Sequence, residues 1–104
     1  MGPRRRRVVW TRGASQELDE SIEFIAEDSL QAAVGVLEAI LKAAESLVDL
    51  PDRGRVVPER GDPAIRELLV ESFRVLYAAT DEEVTILGLL HQRRDFTGWE
   101  RADR

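Results

Sequence analysis

The chain has 104 residues, 43% of them hydrophobic and 34% charged, a balance that suits one folded domain with one small core and is too apolar for wholesale disorder. It contains no cysteine and one histidine, His91, which excludes disulfides, thiolate nucleophiles, cysteine-built zinc sites and multi-histidine metal centres. No cofactor or metal is therefore expected. The net charge of −5 is unevenly spread. Residues 1–12 carry five arginines and no acid, residues 13–52 ten acids against Lys42 alone, and residues 53–104 nine arginines against ten acids. The middle of the chain repels nucleic acid, so phosphate contacts would have to come from its ends, and direct nucleic-acid binding by the chain alone is not expected. No apolar run is long enough to span a bilayer, and no leader core follows Arg4–Arg7, so the expectation is a cytoplasmic protein without membrane contact.

Residues 1–6 read as a charged arm, and Arg7–Trp10 as a first strand, with β-branched and aromatic residues and Trp10 turned to the core. Thr11 is a plausible N-cap, after which Ala14, Leu18, Ile22 and Ile25 follow the spacing of one helix face, with Glu17, Asp19, Glu20, Glu23 and Glu27 covering the other. Asp28-Ser29 supplies capping side chains for a second helix, whose apolar positions are Ala33, Leu37, Ile40, Ala44 and Leu47. Two amphipathic helices joined by so short a link lie antiparallel. Pro51, Gly54, Pro58, Gly61 and Pro63 stop the second helix and predict an irregular stretch over 49–63, long enough to suspect a role.

From Ile65 the period becomes that of strands: 65–70, 73–79 and 84–90, separated by hairpin-sized breaks at Glu71-Ser72 and Asp81-Glu82-Glu83. The predicted architecture is α+β, in the order β-α-α-β-β-β, with an antiparallel helical hairpin packed on a small antiparallel sheet. It forms a single domain over 1–104, closed by a polar tail over 92–104 in which Phe96 and Trp99 are embedded.

These pieces, taken in order, resemble a known family. Val9-Trp10-Thr11, Ala32-Ala33, Leu47…Pro51…Gly54-Arg55…Pro58-Glu59, Arg66-Glu67-Leu68, Phe73-Arg74-Val75-Leu76-Tyr77 and Leu90-His91-Gln92-Arg93-Arg94-Asp95 resemble ParE-type toxins of the ParE/RelE toxin-antitoxin superfamily over about residues 8–96. The resemblance implies a toxin neutralised by a cognate antitoxin, here a ribbon-helix-helix protein of ParD type. It also implies one of two targets, DNA gyrase for ParE-like toxins or ribosome-bound messenger RNA for RelE-like nucleases.

Fold alone does not choose between them. RNA cleavage needs a proton acceptor, cations on the scissile phosphate and a donor to the leaving oxygen. The resemblance places Arg74, and roughly Arg93, at cationic positions of the nucleases; His91 and Glu67 remain as possible bases, each without a helper. The sheet lysines and C-terminal tyrosine of those enzymes have no counterpart: Lys42 lies on a helix and no tyrosine follows Tyr77. Arginine does not replace a lysine base, because it is not deprotonated in proteins. This departure favours the gyrase branch.

Candidate target-binding or antitoxin-binding residues are Arg66, Arg74, Arg93, Arg94, Phe96 and Trp99, charge and aromatic area together being the composition of interaction hot spots. Each has a structural reading beside it. The arginines can pair across strands with Glu67, Glu71 and Asp95; His91 can be a polar strand end, and Tyr77 a core aromatic. A binding module whose sole activity is to dock an antitoxin and help repress their promoter is the remaining alternative. A stand-alone metabolic enzyme has little support, since no phosphate loop, metal cluster or nucleophile-base pair appears. The charge division predicts a partner that is basic where it crosses residues 13–52 and acidic where it reaches Arg66, Arg74 and Arg93.

Overall fold

A computed structural model describes residues 6–92. The elements are β1 (Arg7–Trp10), α1 (Arg12–Asp28), α2 (Leu30–Ser46), β2 (Arg55–Val56), β3 (Arg66–Val70), β4 (Phe73–Ala79) and β5 (Glu83–His91). Thr11 begins α1 as expected: its backbone is extended and its hydroxyl accepts the Ala14 N–H at 3.1 Å. Ser29 does two jobs. Its N–H closes α1 on the Ile25 carbonyl at 3.0 Å, and its hydroxyl opens α2 by accepting the Ala32 N–H at 3.0 Å. One extended residue thus reverses the chain, and the hairpin follows from that residue.

The strands form one sheet in the order β1-β5-β4-β3-β2. β3, β4 and β5 are the expected antiparallel meander, whereas β1 joins the outer side of β5 in parallel, so the sheet is mixed. The two-residue β2 pairs with β3 through Arg55↔Glu67 and Val56↔Arg66, inside the stretch read from sequence as wholly irregular. Two residues are too few to show a strand period. Arg6, assigned to the charged arm, is already engaged: its guanidinium donates to the carbonyls of Thr80 at 2.6 Å and Val48 at 3.4 Å.

The helical hairpin covers one face of the sheet. Ala14, Leu18, Ile40, Ala44 and Leu47 meet Leu68, Phe73, Val75, Tyr77, Val84, Ile86 and Leu89 in the main core. Val8, Trp10, Ile22, Ile25 and Leu37 pack against it. A bulge shifts the β4–β5 register, Leu76 facing Gly88 while Tyr77 faces Ile86, and leaves Leu87 as the extra residue. The extra residue inverts the alternation of β5, so Ile86 and Leu89 both reach the helices although they are three apart.

The opposite face of the sheet carries a second, smaller core of Val57, Leu76 and Leu90, flanked by Ile65 and Leu87. Its cover is the segment between α2 and β3. Val57 donates to the Ile65 carbonyl at 3.2 Å, and a turn at 57–61 closes on the Val57 carbonyl through Arg60 and Gly61 N–H groups at 3.1 and 2.9 Å. Gly61 takes a positive φ of 64°, the conformation glycine adopts without a Cβ penalty. The long loop is therefore a strap across the sheet. Among the described residues no helix is long and apolar enough to cross a membrane.

Candidate functional site

Arg74 stands on β4, on the strap side of the sheet, and is 7% exposed. A buried guanidinium needs its charge answered, and two carboxylates do so. Its Nε donates to Glu67 Oε1 at 2.7 Å, and its two terminal nitrogens take both oxygens of Glu59, at 2.9 and 2.7 Å. The Glu67 side chain is wholly buried and also accepts from Arg55 Nε at 2.6 Å. The result is a chain of alternating charges, Arg55–Glu67–Arg74–Glu59, that ties the strap to two strands.

A second tie fixes the start of the strap. The Tyr77 hydroxyl, on a fully buried side chain, donates to the Pro51 carbonyl at 2.7 Å and accepts the Gly54 N–H at 2.8 Å. Burial pushes the Tyr77 phenol above its ordinary pKa, with the Gly54 hydrogen bond opposing. Arg66, across from Tyr77 in the register, donates to the Gly54 carbonyl at 3.0 Å and lies 3.9 Å from Asp52. Gly54-Arg55, Pro58-Glu59, Arg66-Glu67-Leu68 and the β4 pentapeptide, scattered over the sequence, thus supply the residues of two ties that anchor the strap, one on each face of the sheet. Glu59 and Arg55 were missed as site residues, since their partners are remote in sequence and no local periodicity marks them.

The sequence-derived candidates do not converge. Strand alternation puts Arg74 on the strap face, whereas His91 pairs with Phe73 in register and turns to the helix face. There its ring meets Phe73 edge-on, with centroids 5.5 Å apart. Arg66 is on the helix face too, but it is opposite Tyr77, at the other end of β4 from Phe73 and His91. Arg93, Arg94, Phe96 and Trp99 lie outside the described residues. The Arg74 guanidinium meets Glu67, one of the acids weighed as a cross-strand partner.

His91 borders an open groove of about 420 Å³ among α1, α2 and the end of the meander, with an apolar floor of Ile25, Val36, Phe73 and Leu89 and Phe24 at its edge. Its rim carries Glu17, Glu20 and Glu71, and the Phe24 ring is 71% exposed. Glu17 also accepts the Leu89 N–H at 3.1 Å, which ties α1 to β5. An apolar floor inside an acidic rim suits an apolar segment flanked by cations.

The charge chain makes stability depend on pH. The hydrogen bonds from Arg74 hold the Glu59 carboxyl below the ordinary glutamate pKa, while the same pairing raises that of Arg74. A lowered carboxylate contributes stability that is present above its unfolded pKa and is lost as pH falls through the folded one. Urea midpoints should therefore drop below about pH 4, and less so in Glu59→Gln. An equal acid-side drop in the variant would remove this assignment. At the alkaline end the buried phenol acts in the opposite sense: its contribution is present below the ordinary phenol value and falls above about pH 10.

Comparison with protein families matches residues 8–96 to the model described as ParE toxin of type II toxin-antitoxin system, parDE. The chain belongs to the ParE toxin family. Among solved structures it is similar to a chain described as the chromosomal ParDE TA system from P. aeruginosa, with a TM-score of 0.67 and 21% identity. That match covers 83% of this chain and 95% of the other. At this identity the likeness speaks to the fold, and it bears out the ParE/RelE-like architecture of hairpin and sheet. No curated protein matches the sequence at a significant level. In this ParE-family toxin, much of the family pattern read in the sequence coincides with the residues that strap the loop to the sheet.

Proposed function

We propose that this ParE-family toxin inhibits DNA gyrase in the cytoplasm and is held inactive by a ParD-like ribbon-helix-helix antitoxin. Family membership supports the toxin class, and one observation favours gyrase over messenger RNA. Arg74 and His91, candidates for phosphate binding and proton transfer in a nuclease, face opposite sides of the sheet, and Glu67, the other candidate base, is wholly buried and held by both Arg55 and Arg74. General acid-base cleavage needs cation and base within hydrogen-bond reach of one phosphate. Purified toxin should block supercoiling by gyrase and leave ribosome-bound message intact. Codon-specific cuts in a translating extract would overturn the proposal.

Arg93, Arg94, Phe96 and Trp99 are proposed as the target contact, so a chain ending at Gln92 should lose gyrase inhibition while keeping its fold. The antitoxin is proposed to lay an apolar and basic segment over the groove rimmed by Glu17, Glu20 and Glu71. Such a pairing is steered by exposed charge, so its association, but much less its dissociation, should slow as salt rises.

A further inference from the structure

The Arg74 guanidinium holds its two carboxylates in unequal ways. Glu67 takes the Nε edge, has a fully buried side chain and is held a second time by Arg55. Glu59 takes the terminal fork with both oxygens, and its side chain is 38% exposed on the 57–61 turn. A guanidinium fork binds carboxylate and phosphate in the same bidentate manner, so Glu59 sits where the oxygens of an external oxyanion would sit. Beside it is an open cavity of about 200 Å³ bordered by Arg55, Pro58, Leu69 and Gln92. With Glu59 in place, the two arginines and two glutamates cancel, and a further anion gains little. Without the Glu59 charge the chain Arg55–Glu67–Arg74 carries two positive charges to one negative in a partly desolvated place, where positive charge attracts anions most strongly.

We propose that Arg74, with Arg55 beside it, forms an oxyanion-binding site that the chain keeps closed with its own Glu59 carboxylate. Glu67 is the fixed half of the clasp and Glu59 the exchangeable half. A ligand enters by taking the terminal fork, and the 57–61 turn is released as Glu59 leaves. The ligand is a carboxylate or a phosphate oxyanion. The site now holds a carboxylate, which makes a carboxylate the nearest replacement. The inference rests on the cluster alone and is independent of the gyrase reading.

The test is a titration of the isolated toxin with sodium acetate and with sodium phosphate at constant ionic strength set by chloride. The readout is the Nε–H resonance of Arg74 by NMR. In wild type, where the anion has to displace Glu59, this resonance should shift only at much higher anion concentration. In Glu59→Gln it should shift saturably with millimolar anion, at least tenfold tighter than in wild type. Tighter binding of acetate assigns the site to carboxylates, and tighter binding of phosphate to phosphate groups. Glu59→Gln/Arg74→Lys, which keeps a cation for Glu67 but removes the fork, should lose the saturable response, read in that variant and in Glu59→Gln alike at the Arg55 Nε–H, which shares Glu67 with Arg74. Backbone amide spectra report whether each variant is folded, and Glu59→Ala provides a second opened form. A folded Glu59→Gln or Glu59→Ala with no saturable response would overturn the proposal, as would wild type binding as tightly as the variants.

Discussion

Gly54→Ala should destabilise the toxin by about 3 kcal/mol, the upper part of the usual range for overpacking a filled site. A Cβ at this position would lie 2.6 Å from the Glu67 carbonyl oxygen, 2.6 Å from the Tyr77 hydroxyl and 2.7 Å from the Tyr77 ring. None of these can step aside cheaply. The carbonyl belongs to the backbone of β3, and the Tyr77 side chain is fully buried. Moving Gly54 outward instead would break its hydrogen bond to Tyr77 and its carbonyl's bond to Arg66, loosening the start of the strap. Thermal or urea unfolding would measure the loss, and a midpoint within error of wild type would show that the strap adapts.

Arg74→Ala should cost about as much or more, roughly 3–5 kcal/mol, because it strands a buried carboxylate. Glu67 would keep only Arg55, whose side chain is 58% exposed and so answers the charge weakly. The informative comparison is with Arg74→Met/Glu67→Leu, which removes both buried charges and fills the space with apolar atoms. If the pair is maintained by mutual need rather than net attraction, the double variant should be more stable than Arg74→Ala by at least about 2 kcal/mol. Strictly additive losses across the double-mutant cycle would contradict this. The result also bears on activity: loss of toxicity in Arg74→Ala says nothing about target contact unless the variant is shown to be folded.

The elements set by local chemistry were legible in the sequence. Thr11 and Ser29 announce helix starts through their side chains, and the apolar spacing from Ala14 to Leu47 picks out the covered faces. β4 begins and ends where its residue pattern does. What was not legible depends on partners distant in the chain. The bulge at Leu87 lies in Ile86-Leu87-Gly88-Leu89-Leu90, where apolar residues serve both faces, so no alternation shows which residue is extra. The second core needs a loop to fold back over Leu76 and Leu90; Val57 belongs to no periodic run, and Ile65, at the start of the predicted 65–70 strand, carries no sign that a loop covers it. For the site, sequence singled out Arg74 and weighed Glu67 as its partner, but not Glu59. The Arg74–Glu59 contact joins a turn to a strand fifteen positions on, a distance at which side-chain pairing follows no rule of spacing.

The parallel pairing of β1 with β5 sets an order of events during synthesis. Arg7 lies opposite Glu83 and Trp10 opposite Ile86, so the first strand finds its only neighbour in the sheet among the last described residues to leave the ribosome. The helical hairpin can form early from contacts close in sequence, while its apolar stripe waits for most of the chain to emerge. Closing a loop of that length costs more entropy than closing a hairpin, which makes the docking of β1 a late step of assembly. Until the meander has emerged to cover it, the nascent chain exposes the hydrophobic face of α1 and α2, a surface open to chaperones.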